Sequence, residues 1–217
     1  MCASDFRTLS ARGCYCFVVS QSDFLLPAKP RQQAVKLQEE LIGSGDGHEM
    51  TGSASRPFAP EISFDQNMNL FLGGLEVRLE HHFGSNLAGI WAILPQEKVI
   101  FVGDSVLVNQ PPFLAYSNPA AWVMDMKILA SRAYKGYQIV SSRAGLITQD
   151  EVRAMGRTMT FIQNSIAALK EKNADLDTYL ELIPRILKRI EYSPAESELF
   201  FNRLRWGLTT YFELNQA

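Results

Sequence analysis

The chain has 217 residues, 47% of them hydrophobic and 20% charged, with 21 Lys and Arg against 23 Asp and Glu for a formal net charge of -2. That length suits one domain, or one domain with a helical appendage, and is enough to bury a sizeable core. The charge balance lacks the basic excess that favours nucleic acid or a membrane surface, no apolar run reaches the roughly 18 residues of a membrane span, and the opening residues are not of signal type, so the expectation is a cytoplasmic protein with no membrane and no nucleic-acid partner.

The first element, "CYCFVVS" (14–20), reads as a buried strand. Cys14 and Cys16 alternate along it and so point the same way; with Cys2 they are too few for a zinc site and read as reduced thiols filling core space. "PRQQAVKLQEELIG" (30–43) reads as a helix, with Pro30 near its start, Ala34, Leu37 and Leu41 at helical spacing and Gly43 as a stop. Residues 43–60 are rich in Gly, Ser and Pro without periodicity, which makes them a surface loop, suited to act as a lid, in which His48 is solvated.

Next come "MNLFLGGLEVRLEHH" (68–82), two alternating runs joined by a Gly73-Gly74 pair that supplies the positive φ angles of a tight hairpin, and "GIWAILPQEKVIFVG" (89–103), with apolar runs at 91–94 and 99–102 around a polar turn. These are consecutive antiparallel strands of one sheet. "NPAAWVMDMKILASRA" (118–133) is a helix capped by Asn118, with Pro119 in its first turn and Trp122, Met126 and Leu129 on one face; "YQIVSS" (137–142) is a short strand. From residue 148 the pattern is helical. Thr148 and Glu151 form a capping box ahead of Val152, Met155, Met159, Ile162, Ile166 and Leu169, and two further helices are expected over about 175–190 and 194–214, the last turning Leu199, Phe200, Leu204 and Leu208 inward. The Met and aromatic positions of these helices read as core or dimer contacts.

The chemistry-bearing position is Asp104, set directly after the apolar run "VIFVG". A carboxylate closing a buried strand needs a partner charge, hydrogen bonds or a metal. No G-x-S-x-G elbow, Walker loop or H-E-x-x-H motif offers another centre.

"LFLGGLEVRLEHHFGSNLAGIWAILPQEKVIFVGDSVL" (70–107) and "YQIVSSRAG" (137–145) together resemble the second half of the metallo-β-lactamase fold superfamily, over roughly residues 60–150. The resemblance implies an α/β chain with a metallo-β-lactamase-like αββα sandwich over residues 1–150, incomplete at the N-terminus, and an all-helical extension over 151–217. It also places Asp104 on the aspartate that bridges two metal ions in that family. "ASDFRTLSARGCYCFVVS" (3–20) is similar to the stretch that follows the family's H-x-H-x-D-H motif, with Asp5 on the motif's aspartate and Phe6 on its last histidine, the earlier part of the motif lying outside the chain. Such a site holds zinc-class ions with about four ligands each and a bridging water acidic enough to attack esters, amides or phosphoesters.

Here the ligand positions are degenerate. An ungapped match of "GSNLAG" to the family's G-H-T-P-G loop puts Ser85 where the histidine stands, anchoring on Gly89 puts Asn86 there, and Arg143 meets the last family histidine. A cation at a ligand position repels a metal. The resemblance therefore implies a protein that has lost the dinuclear site, carries no cofactor and serves as a catalytically silent binding or assembly module. On that reading Arg143 neutralises Asp104 in an internal ion pair with Asp5 nearby, the C-terminal helices supply a homodimer interface and the old cleft holds at most a small molecule. The alternative is a metal-dependent hydrolase of esters, thioesters, lactones or phosphoesters, in which Asp104 and Asp5 hold zinc, manganese or iron with His81 or His82; these neighbours point to opposite faces of a strand, so only one of them can face the site.

Overall fold

The computed structural model describes residues 17–19 and 62–215. The cysteines, Asp5, Phe6, the expected helix at 30–43 and the loop with His48 lie outside these residues. The chain divides into two compact units, residues 1–65 and 66–217. In the first, β1 (Phe17–Val19) and β2 (Ile62–Phe64) pair in parallel, Phe17 opposite Ile62.

The second unit is built on a six-stranded sheet in the order β3-β4-β5-β6-β7-β8: β3 (Asn67–Leu72), β4 (Leu75–His81), β5 (Ile90–Leu94), β6 (Val99–Gly103), β7 (Gln138–Ser141) and β8 (Gly145–Ile147). Every neighbouring pair is antiparallel except β6 and β7. The β3–β4 hairpin closes through Gly73 and Gly74 at φ +58 and +90, angles that leave Leu72 opposite Leu75 in the two-residue turn expected of this pair. Parallel pairing of β6 and β7 demands a crossover, and the chain supplies it with α1 (Pro119–Leu129), whose N-terminus is capped by Asn118 accepting from the Ala121 amide.

The sheet alternates strictly where it meets the helices. Trp91 and Ile93 of β5, Ile100 and Val102 of β6 and Ile139 of β7 are buried, whereas Phe101 between them is exposed. Against the buried side pack α1 and α2 (Gln149–Glu171), started by the Thr148–Glu151 capping box, with Val152, Met155, Met159, Ile162 and Ile166 inward. The remaining helices are α3 (Leu176–Leu180), α4 (Leu182–Leu187) and α5 (Ser197–Asn215), the last preceded by a 3-10 turn at Pro194–Glu196. One apolar core joins sheet residues to Tyr179, Ile183, Ile186, Phe200, Leu204 and Leu208, so the C-terminal helices share the core of the sheet. The stripe on α2, read from the sequence as core or dimer contacts, is thereby used within the chain.

Two expectations require correction. The single helix over 175–190 is two short ones: Pro184 has no N–H to give an i−4 carbonyl and fits only in a first turn, where α4 has it. Leu199 is 63% exposed, not inward. The buried face of α5 runs through Phe200, Leu204, Leu208 and Tyr211, and Leu199 falls with Arg203 and Trp206 on the neighbouring face at four- and seven-residue spacing.

Candidate functional site

Asp104 leaves the end of β6 and Ser142 and Arg143 leave the end of β7, the adjacent parallel strand. The carboxyl ends of parallel strands are where open α/β sheets place their ligands, because side chains from two loops converge there. The two exits are bound together by hydrogen bonds to the main chain, the Ser142 amide donating to the Gly103 carbonyl at 3.1 Å and the Ser141 hydroxyl to the Val106 carbonyl at 2.7 Å. Gly103 itself sits at φ +56, a left-handed conformation that turns the chain out of β6 so that Asp104 faces this junction.

Both oxygens of the Asp104 carboxylate have partners. Arg143 approaches with Nε 3.1 Å from Oδ1 and Nη2 3.3 Å from Oδ2, a bidentate fork, and the Ser142 hydroxyl donates to Oδ1 as well. The expected pairing of these two residues is present, but the expectation of an internal, buried pair is not met: the side chains are 48% and 47% exposed. The free energy of such a pair is set by water more than by the fold.

Beyond this pair stands Arg203 of α5, which donates from Nη1 to Gln110 Oε1 at 3.1 Å. Burial, then the nearby charge of Arg143, press its pKa below the ordinary arginine value, with Asp104 acting the other way. Gly207, one turn on, lets α5 lie against the loop after β6: a Cβ there would come 3.2 Å from the Leu114 amide. That contact sets Trp206 over Phe113, rings stacked with centroids 4.9 Å apart, and edge-on to Tyr116 at 6.3 Å.

The histidines go elsewhere. His81 Nε2 lies 2.9 Å from the Leu87 carbonyl. His82 is buried, stacked on Trp91 with centroids 3.5 Å apart, its Nδ1 2.8 Å from Asp125 Oδ1 and its Nε2 3.5 Å from Glu80 Oε2. Burial opposes a charge on this imidazole, but the hydrogen bonds and charges of Asp125 and Glu80 outweigh it and hold the pKa above the ordinary histidine value. The hydrogen bond with His82 holds the Glu80 carboxyl below its usual value. Burial and the Glu80 charge together push the Tyr134 hydroxyl, whose ring meets Trp91 edge-on, up to about 12.

This buried network runs to the floor of the candidate site. The Gly84 amide donates to Asp125 Oδ2 at 3.2 Å, Trp91 Nε1 donates to the Ser105 hydroxyl at 2.9 Å, Trp122 Nε1 donates to the Ser105 carbonyl at 2.7 Å, and Ser85 Oγ lies 3.4 Å from Ser105 Oγ. Ser85, which the resemblance sets against the family's loop histidine, thus lies within hydrogen-bond reach of the residue next to Asp104. Asn86, the other candidate, accepts from the Ala88 amide at 3.0 Å and shapes its own loop. Asp125 and Ser105 were not singled out from the sequence, and Trp91 and Trp122 were read only as apolar positions of a strand and a helix. Asp125 carried a legible signal, an acid three residues after Trp122 and four before Leu129 on the apolar face of α1.

Among the described residues no three His, Cys, Asp or Glu side chains gather as a metal-holding group. Around Asp104 the described neighbours are a guanidinium and hydroxyls, a set that does not fit a divalent zinc-class ion. His81 and His82 are bonded to other partners, and Asp5 and Phe6 lie outside the described residues.

Comparison with solved structures assigns this architecture to the metallo-β-lactamase fold. A double mutant of the sec-alkyl sulfatase PisA1 superposes with a TM-score of 0.59 at 13% identity, over 99% of this chain and 38% of that one. A metallo-beta-lactamase family protein from Thermus thermophilus gives 0.54 at 16% identity over 97% and 70%, and an archaeal metallo-beta-lactamase superfamily protein from Sulfolobus tokodaii gives 0.51 at 15% over 93% and 75%. The chain therefore spans under two fifths of the sulfatase and about seven tenths or more of the other two. No protein-family model and no curated protein matches the sequence. The chain has the metallo-β-lactamase fold. Among the described residues no helix is long and apolar enough to cross a membrane.

Proposed function

We propose that this protein is a catalytically silent member of the fold, without the dinuclear metal pair, which serves as a binding or assembly module. The observation that carries the reading is the state of Asp104: both carboxylate oxygens are taken by Arg143 and Ser142, with Ser85 and Asn86 at the loop position of the family's histidine. A metal at this carboxylate has to displace a bidentate cation and meet its charge at short range, which works against binding in any dielectric. The junction instead presents Arg143 near Arg203, and Arg203 over the Phe113 ring that stacks on Trp206, a surface suited to hold a small ligand through a polar end and a flat or apolar body. A homodimer through the C-terminal helices would use their outward faces, where Leu199, Phe201, Trp206 and Leu214 are exposed.

The deciding experiment is elemental mass spectrometry of the purified full chain after equilibration with zinc or manganese and removal of excess metal, with Asp104→Ala in parallel. The reading expects no stoichiometric metal dependent on Asp104. One or two equivalents in the wild type, lost in the variant, would overturn it in favour of a metal-dependent hydrolase.

A further inference from the structure

α5 carries a cation that the fold leaves without a counter-charge. Arg203 is half-buried, and its hydrogen bond among the described residues goes to the neutral amide oxygen of Gln110, at 3.1 Å. No carboxylate stands within ion-pair distance of it among those residues. Asp104 is spent on Arg143, and the pair as a whole works against Arg203: burial, then the Arg143 charge, lower its pKa, and Asp104 restores only part. A cation held partly out of water with neutral company carries a cost that a bound anion relieves. Only Nη1 is used by Gln110. The other N–H groups of Arg203 are not sealed from solvent, since among the described residues the buried side-chain nitrogen or oxygen without a partner is Gln149 Oε1.

The apolar surface around this cation lies open. Trp206 is 46% exposed and Leu199 63%, and their three- and four-residue spacing from Arg203 sets all three on one strip of α5 with the cation in the middle. The Phe113 ring centroid lies 5.9 Å from the Arg203 guanidinium carbon, Phe113 stacks on Trp206, and Tyr116 meets Trp206 edge-on, so the indole plane is fixed before any ligand arrives. We propose that this corner binds a planar aromatic monocarboxylate, its two oxygens on the free N–H groups of Arg203 and its ring on the exposed part of the Trp206 indole. A guanidinium presents paired donors that match a carboxylate, and one unneutralised positive charge is matched by one negative charge. The site rests on the reading of Asp104 as neutralised by Arg143: with a metal on Asp104, Arg143 would be released to compete for the same anion.

The test is isothermal titration calorimetry of the full chain at low ionic strength with 2-naphthoate, beside 2-naphthalenemethanol, which keeps the ring without the charge, and decahydro-2-naphthoate, which keeps the charge without the aromatic face. Saturable one-to-one binding of 2-naphthoate is expected, with the alcohol weaker by about tenfold or more and the saturated acid by about threefold or more. Arg203→Gln should reduce 2-naphthoate affinity by about tenfold or more and leave the alcohol unaffected, and Trp206→Leu should remove the preference for the aromatic acid over the saturated one. Both variants are first shown folded by circular dichroism, and the three-ligand comparison on the wild type decides the matter if either is not. Absence of saturable binding, equal binding of the alcohol or of the saturated acid, or unchanged 2-naphthoate affinity in Arg203→Gln would each overturn the proposal. Metal content of the same preparation separates the two failures: with no Asp104-dependent metal, a failed titration overturns this ligand class alone, whereas Asp104-dependent metal overturns the silent-module reading and this site with it.

Discussion

The most demanding test of the architecture is Asp125→Ala. Asp125 and His82 are both buried, and the carboxylate serves the imidazole Nδ1 at 2.8 Å and the Gly84 amide at 3.2 Å. Removing one partner of a buried charged pair costs about 3–5 kcal/mol, and the orphaned amide alone about 1–3 kcal/mol. His82 keeps Glu80 and can release its proton, so the lower end applies, about 3–4 kcal/mol near pH 6. For a unit of this size that lowers Tm by about 10 °C. The pH dependence has a definite sign. His82 is harder to deprotonate folded than unfolded, where it titrates near 6.5, so its contribution is complete below that value and is lost as the pH rises through the higher folded pKa. Glu80 limits the other side: its pKa is lowered from 4.5, so its contribution is present above that value and lost as the pH falls through the lower folded one. Urea unfolding followed by tryptophan fluorescence at pH 5.5, 6.5 and 8 should show wild-type stability declining above 6.5 and a flatter profile in the variant. A cost below about 1 kcal/mol at pH 6, or an undiminished slope above 6.5, would refute the reasoning.

Arg143→Ala should cost under about 1 kcal/mol in the same urea assay, because the pair it breaks is half exposed; a loss of 3 kcal/mol or more would mean that the junction is drier than its side chains indicate. Gly84→Ala should be far worse than a surface substitution, by roughly 1–3 kcal/mol or more, since the new Cβ would stand 2.4 Å from Trp122 Cα and from Asp125 Oδ2; a wild-type midpoint would show that loop and helix separate freely. Ser105→Ala removes the acceptor of the Trp91 indole and should cost about 1–3 kcal/mol with a change in tryptophan emission, and an unchanged spectrum would count against that hydrogen bond.

Much of this architecture is legible before any coordinates. Asn118-Pro119 and Thr148 with Glu151 mark helix starts by local chemistry, and Gly73-Gly74 marks its turn because the required φ angles exclude most residues. Local signals of this kind survive folding. What escaped depends on partners remote in sequence. The three-residue strand β8 has no periodicity of its own and exists only by pairing with β7. The broken helix at 176–187 follows from Pro184, whose effect was legible but was outweighed by the apolar spacing around it. At the site, the identity of the Asp104 partner was readable from the resemblance, whereas its exposure was not, because the residues that follow β6 turn outward only through the left-handed Gly103.

The buried network explains why the Asp104 loop keeps its form with the donors it has. Where metal ions hold a loop, binding energy is also folding energy, and losing the ligands releases both. In this chain the exits of β6 and β7 are joined by protein groups: Ser142 to Gly103, Ser141 to Val106, and the Ser105 backbone and hydroxyl to Trp122 and Trp91. Those indoles are almost wholly buried, and Trp91 in turn carries the His82 ring between two carboxylates. Asp104 is thus positioned from beneath by neutral hydrogen bonds and neutralised from above by Arg143. The scaffold determines where the carboxylate stands, and the residues around it, far more than the fold, determine what it can bind.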